Sequence, residues 1–362
     1  MSKLRFALIG CGRISKNHVG PLTEIPGAEL VAVCDLVPER AQVWSKKFGI
    51  PSYTNYHTML THEQIDVVSI LTPSGMHPFH AMDIMRRCRK HVVIEKPMAL
   101  AWDDLAKMKA TADECGVKIF PIYQNRYNKA VQQVRADLLS GALGKPMLGT
   151  VRVRWCRPQR YYDRDPWRGT WAMDGGALTN QGIHYLDLLQ YLVGDVESVT
   201  ARIATQLVTV EVEDTAVATL KFKNGALGVI EVTTAARPDD FEASISVLAG
   251  KGTAILTGIA CNQLSTYTLD PSAAAKYSEE FPDAYGFGHW AFFRDVITDL
   301  QNQCPHPISF EEGTRAIRLL NSIYRSAEDN REVFLDDGLP SHNLGKPDSK
   351  LSALYETPIT TE

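Results

Sequence analysis

The chain has 362 residues, more than one ordinary core holds, so two domains are expected. Its composition, 44% hydrophobic and 22% charged, is that of a globular protein, and a net charge of −4 argues against nucleic acid or an anionic membrane as the main partner. Seven scattered cysteines include no C-x-x-C pair, which gives zinc no support and suits reduced thiols in a cytoplasm. The charge is uneven. Residues 1–145 hold 19 Lys+Arg and 13 Asp+Glu, a balance of +6; the remainder holds 19 against 29, a balance of −10. A basic first part suits an anionic cofactor. With no apolar signal core at the start and no long apolar run, a cytoplasmic protein is expected.

Residues 4–9 read as a first buried strand, followed by Gly10-Cys11-Gly12-Arg13-Ile14-Ser15 and a helix from about Arg13. Residues 29–34 form the second strand and end at Asp35. Pro38 and Gly49 bracket a helix. Strands at 66–71, 91–94 and 118–122 alternate with helices near 77–87 and 105–115. This alternation predicts a doubly wound parallel sheet. Past Gly144 the pattern changes. Extended runs at 147–156, 196–206, 215–222, 226–234, 243–248 and 253–257 follow one another, two of them joined by the turn Lys223-Asn224-Gly225. The fold class is therefore α/β: an N-terminal Rossmann sheet, then an α+β domain with a large open, mostly antiparallel sheet. Helices are expected at 180–192, 290–301 and 311–328. The expected domains are 1–125 for the dinucleotide, 126–335 for substrate and oligomerisation, and a polar tail, 336–362.

Gly10-x-Gly12-x-x-Ser15 directly after a strand has the form of a dinucleotide fingerprint. The first glycine permits a tight turn and the second a close approach of backbone to pyrophosphate. The third position needs only a small residue. Gly10, Cys11, Gly12, Arg13 and Ile14 are thus candidate cofactor contacts. Asp35, 23 residues after Gly12 and at a strand end, is placed to accept ribose hydroxyls and to repel a 2′-phosphate, which favours NAD over NADP. Thr72-Pro73-Ser74-x-x-His77 ends the next strand. Thr72, Ser74 and His77 either cover the cofactor or, for His77, simply start a helix.

Glu95-Lys96-Pro97 presents an ammonium at a strand end, where open α/β sheets bind ligands; the ordinary alternative is a solvated surface lysine. Asn180-Gln181-x-x-His184-x-x-Asp187 puts an imidazole one helical turn from an amide, with a carboxylate three residues on. His184 so held is a suitable general base; the ordinary alternative is a core histidine. Arg152, Arg154, Arg157, Arg160, Arg164 and Arg168 are interleaved with Trp155, Tyr161, Tyr162, Trp167 and Trp171. Such a run fits a polyanionic small substrate better than nucleic acid in this acidic half.

Together, G-x-G-x-x-S, Asp35, Thr-Pro-x-x-x-His, Glu-Lys-Pro and His184 resemble the glucose–fructose oxidoreductase/inositol dehydrogenase (Gfo/Idh/MocA) family over about residues 4–335. The resemblance implies hydride transfer between NAD and a sugar-like carbinol. Many members carry Asp where this chain has Asn180. Arg157-Pro158-Gln159-x-Tyr161-Tyr162, Trp167-Arg168-Gly169-Thr170-Trp171 and the Asp174–His184 run are similar to a narrower group, bacterial UDP-N-acetylglucosaminuronate 3-dehydrogenases. In that group Asn at this position is expected. It implies a UDP-linked uronic acid substrate, a 3-keto product used for surface polysaccharide such as O-antigen, and a homotetramer. The catalytic pair is then Lys96 and His184, with Asn180 and Asp187 supporting. Glu95, Lys96, Gln124, Trp167 and Arg168 join the cofactor contacts. Lys96, Asn125, Arg157, Tyr161, Tyr162, Asn180, Gln181 and His184 face the sugar. Which of Lys96 and His184 is the base stays open, as does the isomer of the Lys96-Pro97 bond. The alternatives are a dehydrogenase of a free sugar or inositol, and a non-catalytic sensor of NAD or sugar nucleotides.

Overall fold

A computed structural model describes residues 2–358. It divides into two compact units. Of the described residues, the first comprises 2–122, 289–313 and 347–358; the second comprises 123–288 and 314–346.

The first unit carries β1 (Leu4–Ile9), α1 (Ser15–Glu24), β2 (Ala28–Cys34), α2 (Pro38–Phe48), β3 (Ser52–Tyr53), α3 (Tyr56–His62), β4 (Val67–Ile70), α4 (His77–Cys88), β5 (His91–Ile94), α5 (Trp102–Cys115) and β6 (Ile119–Pro121). The sheet order is β3-β2-β1-β4-β5-β6 and every pairing is parallel. That is the Rossmann order, with its crevice at the carboxyl ends of β1 and β4. β1, β4 and β5 are apolar runs buried on both faces, as a covered parallel sheet requires. Proline at the start of α2 and left-handed Gly49 at its end set that helix's limits.

Residues 289–313 fold with this unit, although the sequence reading assigns them to the second domain, and so do residues 347–358, assigned to the tail. The reason is the apolar stripe Phe292, Phe293, Val296 and Ile297 on the helix over 288–302. Phe293 meets Phe6 of β1 edge-on at 5.9 Å, and Ile297 sits 3.1 Å from where a Gly27 side chain would begin. Periodicity located this helix but says nothing of which sheet it covers.

The second unit carries α6 (Lys129–Leu139), β7 (Pro146–Arg154), α7 (Gln159–Tyr162), a π-turn (Leu178–Gly182), α8 (Ile183–Val193), β8 (Val196–Ala204), β9 (Thr215–Phe222), β10 (Leu227–Thr233), β11 (Glu242–Ala249), β12 (Gly252–Thr257) and β13 (Gln263–Tyr267). Its eight-stranded sheet runs β13-β12-β11-β7-β10-β9-β8-β14, where β14 is Val333–Phe334. Only β7 with β10 is parallel. The helix α8 lies tight on β7: a side chain at Gly149 would come within 2.8 Å of both Leu189 and Val193. The alternating burial of β9 and β10 leaves Val217, Leu227 and Val229 exposed on the other face. Among the described residues no helix is long and apolar enough to cross a membrane.

Candidate active site

In the first unit the fingerprint has the geometry that a dinucleotide needs. Gly10 has φ +94°, and a Cβ there would lie 2.6 Å from the Leu71 carbonyl oxygen, so no other residue fits. A Cβ on Gly12 would meet nothing within 4 Å, which leaves its backbone open to approach. The Ser15 hydroxyl donates to the Gly12 carbonyl (2.7 Å) and accepts from the Trp44 indole (3.0 Å), tying the turn to α2. The helix α1 starts at Ser15, two residues later than Arg13, because Gly12 to Ile14 form the turn. No side chain caps that start, and helix starts of this kind bind phosphate through backbone N–H groups.

Asp35 stands just past β2. Its Oδ2 accepts the Cys11 N–H (2.7 Å) and its Oδ1 the Val37 N–H (2.8 Å). These bonds fix the carboxylate beside the turn, and each oxygen keeps a further lone pair for a ribose hydroxyl. Thr72 bonds the His80 ring at 3.0 Å. Ser74 is buried within a short helical turn. His77 is 1% exposed, with its two ring nitrogens each 2.8 Å from a carbonyl oxygen, of Thr72 and Pro97. A neutral ring donates to one of these carbonyls, which ties His77 to the loops on either side of it.

The Lys96-Pro97 bond is cis, and Lys96 is half-buried. Glu95 is 5% exposed. Its Oε2 accepts the Lys96 N–H (3.0 Å), and its Oε1 lies 3.0 Å from His18 Nε2 and 3.2 Å from His289 Nε2. Burial alone would raise the Glu95 pKa, but these two imidazoles hold it well below the usual carboxylate range. The three ligand atoms lie within 4.8 Å of one another, a spacing that a cation tolerates. Hydrogen bonding already accounts for it.

In the second unit, the continuous helix expected over 180–192 is broken. A π-turn spans Leu178–Gly182 and α8 begins at Ile183. A π-turn takes an extra residue, so the one-turn spacing expected for Asn180 and His184 does not apply. Such turns are frequent at functional sites. This one is pinned from below. The buried Glu213 Oε1 accepts from the Leu178 N–H and the Tyr324 hydroxyl, both at 2.9 Å, and Tyr324 bonds the Thr179 hydroxyl at 2.9 Å. A side chain on Gly176 would collide with Glu213. Burial outweighs these bonds and pushes the Glu213 pKa up to about 8.

Asn180 donates through Nδ2 to Asp174, whose other oxygen accepts the Gly169 N–H at 2.8 Å. That turns the amide oxygen of Asn180 the other way. His184 is half-buried, with Nε2 3.5 Å from Gln124 Nε2. Asn125 is buried. Asp187, expected beside His184, receives both Nε and Nη2 of the buried Arg126, at 2.8 and 2.6 Å. Its chief bond is thus a structural ion pair.

The arginine run separates into two kinds. Arg152 and Arg154 lie on β7 and pair with Glu231 and Glu242, so they belong to the sheet surface. Arg157 pairs with Asp240 at 2.9 Å and packs over Trp155. Arg168 pairs with Asp165 at 3.2 Å, lies 4.6 and 4.5 Å from the ring centres of Tyr161 and Trp167, and donates to the Tyr161 hydroxyl at 2.7 Å. Gln181 reaches that hydroxyl at 3.3 Å. Arg168, Tyr161 and Gln181 therefore form one cluster. The Tyr162 ring packs edge-on against Tyr161 at 5.1 Å, is buried, and its hydroxyl bonds Thr234.

A Rossmann sheet with this turn and this strand-end carboxylate defines an NAD-binding oxidoreductase. The chain belongs to the Gfo/Idh/MocA family: residues 4–123 match the NAD-binding Rossmann fold of that oxidoreductase family and residues 131–255 its C-terminal domain. It is similar to the WlbA dehydrogenase of Bordetella pertussis, solved with NADH and UDP-GlcNAcA: 41% identity, 92% of this chain and 98% of that one, TM-score 0.87. The WlbA dehydrogenase of Chromobacterium violaceum, solved with the same two ligands, is 37% identical over 92% and 96% of the two chains, TM-score 0.85. A D-apiose dehydrogenase of Paraburkholderia graminis is 27% identical over 92% of this chain and 90% of its own length.

Proposed function

We propose that the chain oxidises the C3′ hydroxyl of UDP-N-acetylglucosaminuronate to the ketone. The observation that carries this reading is the cluster of Arg168, Tyr161 and Gln181, next in sequence to Asn180 and three residues before His184. A sugar nucleotide brings a diphosphate and a carboxylate, and a guanidinium fixed beside two rings by Asp165 is a partner for either through the donors Asp165 does not take. The likeness to two dehydrogenases solved with UDP-GlcNAcA supports the same substrate.

Gly10, Gly12 and Asp35 would hold NAD, which supplies the hydride acceptor when bound. His184 takes the hydroxyl proton. Lys96 donates a hydrogen bond to the same oxygen and stabilises its developing charge. Asn180, held by Asp174, presents its amide oxygen to a sugar hydroxyl. General-base catalysis is worth about 10²–10⁴-fold, so Lys96→Ala and His184→Ala should each lose at least that order of turnover while NAD binding survives. Near-normal turnover in both variants contradicts the assignment.

A dehydrogenase of free sugars or inositols is the second reading. It is favoured by the D-apiose dehydrogenase likeness and by the pairing of Arg152, Arg154, Arg157 and Arg168 with acids, which leaves less positive charge for a polyanion. A homotetramer is part of the main proposal. The exposed Val217, Leu227 and Val229 on the open sheet face support it, and light scattering tests it.

A further inference from the structure

We infer that His18 and His289 are positioning residues that act through Glu95 to fix the backbone of Lys96. The inference deepens the proposal above and rests on its assignment of Lys96 to the substrate hydroxyl.

Three observations carry it. First, both imidazole Nε2 atoms converge on one carboxylate oxygen, Glu95 Oε1, while the other, Oε2, accepts the Lys96 N–H. The carboxylate is thus held on one side and clamps the tripeptide on the other. Second, the Nδ1 atoms of His18 and His289 are buried and have no hydrogen-bond partner among the described residues. Each ring is therefore bonded through Nε2, and since a carboxylate oxygen accepts, both Nε2–H groups donate to Glu95. Third, the rings are locked. His18 is fully buried, packed 5.2 Å from the Phe293 ring and 5.4 Å from the His289 ring. The carbonyl of Pro97, on the far side of Lys96, is 2.8 Å from His77. The backbone of Lys96 is therefore tied down before and after it.

A carboxylate in a dry site stays ionised only while donors compensate its burial. The charged and titratable groups around Glu95 are His18, His289, His77 and Lys96. With the two donors removed, Glu95 takes up a proton. Its Oε2 then becomes a weaker acceptor, and the Lys96 backbone loosens.

The sequence offers a direct probe. Glu-Lys occurs once in the chain, at Glu95-Lys96. Protein labelled with carbonyl-¹³C glutamate and ¹⁵N lysine therefore gives a single carbon-coupled amide signal, that of Lys96. In the wild type this signal should hold its position from about pH 6 to about pH 8.5, since Glu95 stays ionised throughout. In the His18→Leu/His289→Leu double variant it should move upfield and titrate. Glu95→Gln, which keeps size and lets the histidines still donate, is read with carbonyl-¹³C glutamine in place of glutamate, since Gln-Lys occurs nowhere in the wild-type chain; its Lys96 signal should lie upfield at every pH, and it covers the case in which the leucine variant does not fold. His18→Gln, which keeps a donor, should restore most of the wild-type behaviour. A wild-type signal position in both the leucine double variant and Glu95→Gln overturns the inference.

A second readout is kinetic. In Glu95→Gln, kcat should fall at least about tenfold, the order lost when a reacting group is misplaced, while the Kd for NAD changes less than about threefold. An unchanged kcat also overturns the inference. A wild type that oxidises no UDP-linked uronate yet shows the expected amide behaviour contradicts the substrate proposal alone.

Discussion

Replacing Asp187 with asparagine separates a structural carboxylate from one that serves His184. Asp187 and Arg126 have side chains 2% and 4% exposed and make two short parallel bonds. The Arg126 guanidinium also lies 4.7 Å over the Tyr191 ring. Asparagine keeps the shape but removes the charge, which leaves a guanidinium buried without its counter-ion. Breaking a buried pair in this way costs about 3–5 kcal/mol. In a unit of about 200 residues each kcal/mol lowers Tm by about 2–4 °C, so the fall should be about 6–20 °C. The assay is thermal unfolding followed by circular dichroism at fixed pH and salt. The double variant Arg126→Met/Asp187→Leu, which removes both charges, should recover most of that loss, since apolar replacements of buried pairs are near neutral. A single variant melting within about 2 °C of the wild type, with turnover collapsed, would refute this reasoning and return Asp187 to the support of His184.

Glu213 makes stability depend on pH. Its pKa rises from 4.5 to about 8 on folding, so the advantage is whole below the unfolded value and is lost as the pH climbs through about 8. Wild-type Tm should fall between about pH 4.5 and about pH 8, the window those two values define, and level off above it, and Glu213→Gln should flatten that fall; parallel curves contradict the assignment. Gly10→Ala puts a Cβ against the Leu71 carbonyl in left-handed backbone and should weaken NAD binding at least about tenfold by fluorescence titration. Asp35→Ser removes the ribose acceptor and the charge that repels a 2′-phosphate. The ratio of NADP to NAD activity should rise, and an unchanged ratio counts against Asp35 as the selector.

The first unit was legible because its signals are local. Apolar runs, glycines and a strand-end acid lie within 35 residues of the start, and each maps onto β1, the turn and β2. The second sheet was legible as strands, since alternation in β9 and β10 is visible residue by residue. What escaped is non-local. His18 and His289 meet Glu95 from 77 and 194 residues away, and nothing near His289 marks it. The bidentate bonds to Asp187 come from Arg126, 61 residues earlier, which the spacing around His184 does not announce. The π-turn was hidden because an extra residue in a helix has no composition of its own; its cause, the buried Glu213 and Tyr324, lies on other elements. The helix α6 was missed despite apolar Ala130, Val131 and Val134 on one face, a signal the chain does carry.

The proposal stands most directly on one measurement: the initial rate of NADH formation from NAD by the wild-type protein, with UDP-N-acetylglucosaminuronate set beside myo-inositol, D-apiose and the free uronic acid. The account predicts NADH from the UDP-linked sugar, loss of that rate in His184→Ala and Lys96→Ala, and rates at least about a hundredfold lower on the free sugars, the discrimination expected where remote binding energy is spent at the reacting centre. Equal or faster oxidation of a free sugar, with none of the UDP-linked uronate, would contradict it.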